Sequence, residues 1–236
     1  KEKLTKRLAI LNELLNKHMY IRIANSYDYD SWMKSHQPFH WLAEFYEIIH
    51  DNGGFDVIIG NPPYVTFTDA SLPYSVNKYK KKRKKNLFAL IGEQCSILAS
   101  NNSSIGYIIP LSGLSIDSFE PLQKIIYANT ISWNSYYSGD RNPSELFTGV
   151  KIRAGIYVAR YGYIGKYTSK YIKYYSSERS FLFSKVNYTD CPGFISAPKF
   201  ADEKFKSIYD KINSLNHSLS SELINETSFY YHAAPI

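Results

Sequence analysis

The residues of this 236-residue chain best placed to do chemistry are Asn61-Pro62-Pro63-Tyr64. Pro62 precedes a second proline and is pushed to an extended backbone, while Pro63 has no N–H to donate. The Pro62 carbonyl is therefore expected to be held rigidly with no local partner, next to the side-chain oxygen of Asn61. Tyr64 adds a flat aromatic face. Two fixed acceptors beside a ring fit an exocyclic amino group on a planar base. Accepting both hydrogens of a group such as adenine N6 localises its lone pair, so the nitrogen could attack an electrophilic methyl in line without a strong base. Orientation supplies the rest, on the order of 7–11 kcal/mol. The plain structural alternative is a rigid exit turn after a strand, with no chemistry.

The elements around the turn must aim it. FDVII, residues 55–59, is a continuous apolar run ending at Gly60, as expected of a strand buried on both faces in a parallel sheet. Ligands of such sheets gather beyond the carboxyl ends of the strands, where this turn lies. Upstream, Leu4, Leu8, Leu11, Leu14 and Leu15 predict an amphipathic helix over residues 2–18. PFHWLAEFYEIIH predicts a second helix with Pro38 in its first turn, stopped by Asn52-Gly53-Gly54.

Downstream, NLFALIGEQCSILAS predicts a helix, NNSSIG a turn and IGYIIP a second buried strand. Asp117 and Glu120 are spaced as a capping box for the helix FEPLQKIIYAN. ISWNSYY and KIRAGIYVARYG predict an antiparallel strand pair, with one or two strands in YIGKYTSKYIKYY. The expected fold class is α/β, with a mainly parallel sheet closed by an antiparallel pair. The expected domains are a helical segment over 1–50, a core over 51–187 and a linker over 188–236.

Composition narrows the class. Hydrophobic residues make up 44% of the chain, the net charge is +7 and there are 22 tyrosines. This is a globular composition with a weak lean toward polyanions. Tyrosine suits nucleic-acid surfaces and ordinary sheets alike. No apolar run is long enough to span a bilayer and no leader is visible, so the expected setting is cytoplasmic with no membrane partner. Cys95 and Cys191 are too few for a disulfide framework.

KSHQPFHWLAEFYEIIHDNGGFDVIIGNPPYV, followed in order by NLFALIGEQCSILA, IGYIIP and DRNPSELFTGVKIRAGIYVAR, resembles the N6-adenine DNA methyltransferases of the type IIG/IIS restriction-modification class over residues 32–160. The resemblance implies the second half of a Rossmann-like methyltransferase fold and methyl transfer from S-adenosylmethionine to an adenine flipped out of double-stranded DNA. Asn61 and Pro62 would take the N6 hydrogens and Tyr64 would stack on the base. Phe147 would pack on its other face, Pro63 would line the substrate side, and Asn61 would also border the cofactor.

The same family needs a glycine turn and an acidic strand end for its cofactor, and residues 1–50 contain no glycine. The cofactor site is therefore expected mostly outside this chain, in the remainder of a longer polypeptide with a cofactor half, a target-recognition domain and, where the parent cleaves DNA, a nuclease domain. Methyltransferases acting on protein glutamine or RNA, and a non-enzymatic DNA-binding or scaffold fragment, remain as alternatives.

Other candidates are weaker. Lys80, Lys81, Lys82, Arg83, Lys84 and Lys85 form a basic run after the turn; it reads as a DNA-phosphate contact or a solvated loop. His36 and His40 have helical metal spacing but no third ligand, so packing is expected and no metal. Asp202-x-Lys204 lacks a preceding acidic strand and is not read as a nuclease. Cys95 is expected in a helix's apolar face.

Overall fold

The computed structural model describes residues 2–23, 28–68, 85–140, 146–147, 151–191, 195–199 and 202–214. Three helices open the chain: α1 (Glu2–Ile23), α2 (Tyr29–His36) and α3 (Trp41–Glu44). The stripe on α1 is real but thinly covered, since Leu4, Leu11 and Leu14 stay exposed. Polar contacts hold α1 to α3: Asn12 Nδ2 donates to Glu44 Oε1 at 2.6 Å, and His40 Nε2 meets Asn16 Oδ1 at 2.7 Å. The helix expected from Pro38 is broken. It starts at Trp41, is interrupted at Phe45, and ends in a wide π-type turn over Glu47–Asp51. Gly53 and Gly54, at φ 75° and 127°, then reverse the chain into β1 (Phe55–Gly60).

α4 (Leu87–Leu98) runs directly into β2 (Ala99–Pro110), so NNSS forms part of a strand and not the turn expected. The pairing of β1 with β2 is irregular there, jumping from Phe55↔Ala99 to Val57↔Ser104. α5 (Leu111–Ser115) follows, then a short 3₁₀ turn over Asp117–Phe119 and α6 (Glu120–Ile126). The capping box does not form. The 3₁₀ turn occupies its place and Pro121 starts the helix. β3 (Thr130–Tyr137), β4 (Ala154–Tyr161), β5 (Gly165–Ile172), β6 (Thr189–Asp190) and α7 (Glu203–Asn213) complete the described chain.

The six strands form one sheet in the order β1-β2-β4-β3-β5-β6. β1 and β2 are parallel, as are β3 and β5, while β4 and β6 run against their neighbours. Four strands (β1, β2, β3 and β5) thus share one direction in a mixed α/β fold. ISWNSYY and KIRAGIYVARYG pair antiparallel as expected, from Thr130↔Tyr161 to Tyr137↔Ala154. The pair does not close the sheet, however. β4 is inserted between β2 and β3, and β5 and β6 extend beyond.

One face of the sheet carries Ile105, Tyr107, Ile109, Tyr136 and Tyr157 into a core with Phe88, Leu114, Leu122 and Ile126. A second cluster, Tyr137, Ala154, Ile172, Tyr174, Leu182 and Leu146, includes residues from the ends of β3, β4 and β5.

Two sequence expectations change. FDVII is not buried on both faces: β1 is an edge strand among the described residues, with Val57 60% and Ile59 82% exposed. The segment read as the start of a linker begins inside the sheet. Thr189–Asp190 is β6, Ala197 is wholly buried, and the Tyr136 hydroxyl donates to the Ala197 carbonyl at 2.7 Å. No described helix is long and apolar enough to cross a membrane.

Candidate functional site

The turn after β1 is built by alternation. Asn61 and Pro63 face outward, while Pro62 is buried and borders the same internal space as Phe88, Gly92, Tyr107 and Leu122. Seating the Pro62 ring in the core leaves little freedom to its neighbours. Its carbonyl accepts no hydrogen bond among the described residues.

Tyr64 is half-buried against the core. Its ring meets Phe88 edge-on, with centroids 6.4 Å apart and planes at 89°. Its hydroxyl lies 2.8 Å from Asn61 Oδ1 and 2.9 Å from the Ile108 carbonyl, so its single hydrogen is shared between two acceptors. Burial pushes the phenol above its ordinary pKa, so it stays a protonated donor. Sequence reasoning saw only the aromatic face of Tyr64. The hydroxyl contact to Ile108, on another strand, leaves no local signal.

The turn is closed from its far side by a short ladder. Thr66 pairs with Asn86, Phe67 N–H donates to the Lys85 carbonyl at 2.9 Å, and Leu87 N–H to the Val65 carbonyl at 2.9 Å. Asn86 also caps α4, its side chain accepting from Phe88 N–H at 3.3 Å. Residues 65–67 and 85–87 are therefore stitched together beside Asn61–Tyr64. Lys80, Lys81, Lys82, Arg83 and Lys84 lie outside the described residues, and Lys85 sits in the ladder.

Phe147 is half-buried and packs on the cluster of Tyr137, Leu146, Ile172 and Tyr174, together with the Ile108 side chain. Ile108 thus lies between the two candidates: its carbonyl receives Tyr64 and its side chain packs on the cluster against which Phe147 also packs. Positive charge lies near the same strand ends. The Arg153 guanidinium is 6.0 Å from the Tyr171 ring centroid, and Lys199 is pushed below its ordinary pKa by burial and then by Arg153.

The lesser candidates resolve into structure. His36 stacks on Trp32 with centroids 5.7 Å apart, and His40 binds Asn16. Among the described residues no group of three or more His, Cys, Asp or Glu could hold a metal ion. Asp202 caps α7, accepting from Lys204 N–H at 2.9 Å and Phe205 N–H at 3.1 Å. Cys95 packs against the core as expected, and burial raises its thiol pKa.

The chain before β1 is helical with no glycine in residues 1–50, so no strand-turn-helix cradle for a nucleotide-like group precedes it among the described residues.

The family model for the Eco57I restriction-modification methylase matches residues 1–141 of this chain. A Methanocaldococcus jannaschii protein named as a putative type II restriction enzyme and methyltransferase is 29% identical over 116 residues, which is 49% of this chain. The chain spans only 9% of that relative's length. Among solved structures, the DrdV–DNA complex covers 57% of this chain at 12% identity, with a TM-score of 0.46, the match taking in 17% of that chain. A nuclease-deletion mutant of the Type ISP enzyme LlaGI, bound to a DNA substrate mimic, covers 70% of this chain and 20% of its own, at 12% identity and a TM-score of 0.48.

Proposed function

Because the chain belongs to the Eco57I restriction-modification methylase family, we propose that its Asn61–Tyr64 turn is the amine-holding half of an adenine-N6 DNA methyltransferase site. The protein carrying it would take the methyl from S-adenosylmethionine and act on an adenine flipped out of double-stranded DNA. The carrying observation is the Pro62 carbonyl, which accepts no hydrogen bond among the described residues, beside an Asn61 amide whose oxygen is already oriented by Tyr64. Such a pair receives both hydrogens of one amino group and turns its lone pair toward an incoming carbon, because acceptors fixed before the reaction cost no reorganisation during it. Held by Asn61 and the Pro62 carbonyl, the amino nitrogen would form the new N–C bond with its lone pair and would then give up a proton. S-adenosylmethionine would supply the electrophilic methyl, its sulfur keeping the electron pair of the bond that breaks; the described residues before β1 offer no strand-turn-helix cradle for it.

On this reading the chain is part of a longer polypeptide, and its sheet is the second half of a Rossmann-like methyltransferase fold. Tyr64 and Phe147 would bracket the flipped base, Pro63 would line its entrance, and the basic run ending at Lys85 would lie along DNA phosphates. The test is Asn61→Ala in the full-length protein, with tritiated S-adenosylmethionine and unmethylated plasmid DNA. Removing one preorganised polar contact of this kind lowers turnover about 10²–10³-fold. Mapping the product as N6-methyladenine supports the assignment. Undiminished methylation by a folded Asn61→Ala protein overturns it.

A further inference from the structure

We propose that Tyr64 is a positioning residue whose hydroxyl anchors the Asn61 amide to strand β2, so that the phenol, and not the ring alone, sets the reacting geometry. The inference rests on the amine-holding role of Asn61 proposed above. Asn61 is exposed, and the terminal torsion of an asparagine is broad and twofold, so an untethered amide at this position would sample many orientations. The Tyr64 hydroxyl removes that freedom. It sits 2.8 Å from Asn61 Oδ1 and 2.9 Å from the Ile108 carbonyl, bridging the turn to the next strand.

Ile108 is a firm anchor. β2 is paired on both sides, parallel with β1 and antiparallel with β4, where Ile108 faces Ile156. The other end of Tyr64 is fixed too, by core packing and the edge contact with Phe88. An amide oxygen has two lone pairs. The Tyr64 hydrogen, shared with the Ile108 carbonyl, faces one, and the other is left pointed in a single direction for an N–H donor from outside. The recognised chemical class is thus an amino group presented edge-on to Asn61, and a phenylalanine at 64 would keep the stacking surface while releasing the amide.

The experiment uses the full-length protein with unmethylated plasmid DNA and tritiated S-adenosylmethionine. Tyr64→Phe is expected to lower kcat about 10²-fold, the usual cost of a misplaced reacting group, with KM for the plasmid held within about threefold. A kcat within about twofold of wild type, or a loss carried by KM, overturns the proposal. A second readout needs no activity. Thermal midpoints of Tyr64→Phe, Asn61→Ala and the double variant should be non-additive, with the double falling short of the summed shifts by about 2–4 °C, as a shared hydrogen bond requires. Additive shifts overturn the tether. If wild type transfers no methyl to DNA, the functional reading fails by itself, and the thermal cycle still decides the role of Tyr64.

Discussion

Gly54→Ala isolates the cost of crowding the base of the strand that carries the site. A Cβ on Gly54 would lie 2.6 Å from the Leu98 carbonyl oxygen, 2.7 Å from Ser100 N and 2.8 Å from Ala99 C. These are backbone atoms of the junction between α4 and β2, and they have no rotamer to retreat into. Gly53 is the natural control, since it also has positive φ, at 75°, but a Cβ there meets nothing within 4 Å. Backbone strain costs each alanine about 1–3 kcal/mol. The steric conflict, at about 1–3 kcal/mol, falls on Gly54→Ala alone. For a domain of this size that extra ~2 kcal/mol lowers the thermal midpoint of Gly54→Ala by about 4–8 °C relative to Gly53→Ala. Relief requires Phe55 to move off Ala99, its partner at the start of β2. The assay is thermal unfolding followed by circular dichroism on both variants under one buffer. Midpoints that agree within about 1 °C would refute the reasoning, because the strain alone is common to both.

Asp202→Ala should cost about 1 kcal/mol by removing the cap on α7 and leave methyl transfer intact, measured by thermal unfolding and methyl incorporation. Replacing the six basic residues Lys80 to Lys85 with alanine should weaken DNA binding and flatten the plot of log affinity against log salt by about 0.9 for each phosphate no longer neutralised; an unchanged slope removes that run from the interface. At high pH the buried Tyr107, Tyr136 and Tyr157 phenols are held above their ordinary value by desolvation, and the Cys191 thiol is pushed up to about 12. Each folded pKa lies above its unfolded one. The stability these groups contribute is therefore complete below about pH 9 and is lost as pH rises through the unfolded values toward the folded ones. The thermal midpoint should fall progressively above about pH 9, and a flat profile to about pH 12 would contradict their burial.

Much of the architecture could be read locally. ISWNSYY and KIRAGIYVARYG carry β-branched and aromatic residues that fit a pleated pair, and they form one. The rigidity expected of NPPY is likewise legible in the residues themselves, because a proline ring fixes its own φ wherever it stands. What failed was position. FDVII is apolar enough for a sheet centre yet occupies an edge, since hydrophobicity reports preference for burial and not the number of neighbours a strand has. Asp117 and Glu120 have the capping-box interval, but the 3₁₀ turn between them spends it. The tie from Tyr64 to Ile108 spans 44 residues, and no periodicity within the turn could announce it.

The insertion of β4 between β2 and β3 has a consequence for how the chain is made. During vectorial synthesis β3 emerges before the strand that will separate it from β2, and before β5, its other neighbour. At ~5–20 residues per second, TISWNSYY spends on the order of seconds outside the ribosome with both edges unsatisfied. A nascent strand of that composition is a sticky surface, and pairing directly with β2 in that interval would trap the wrong sheet. Fast translation through residues 138–161 therefore protects this fold, and a pause there should raise the misfolded fraction.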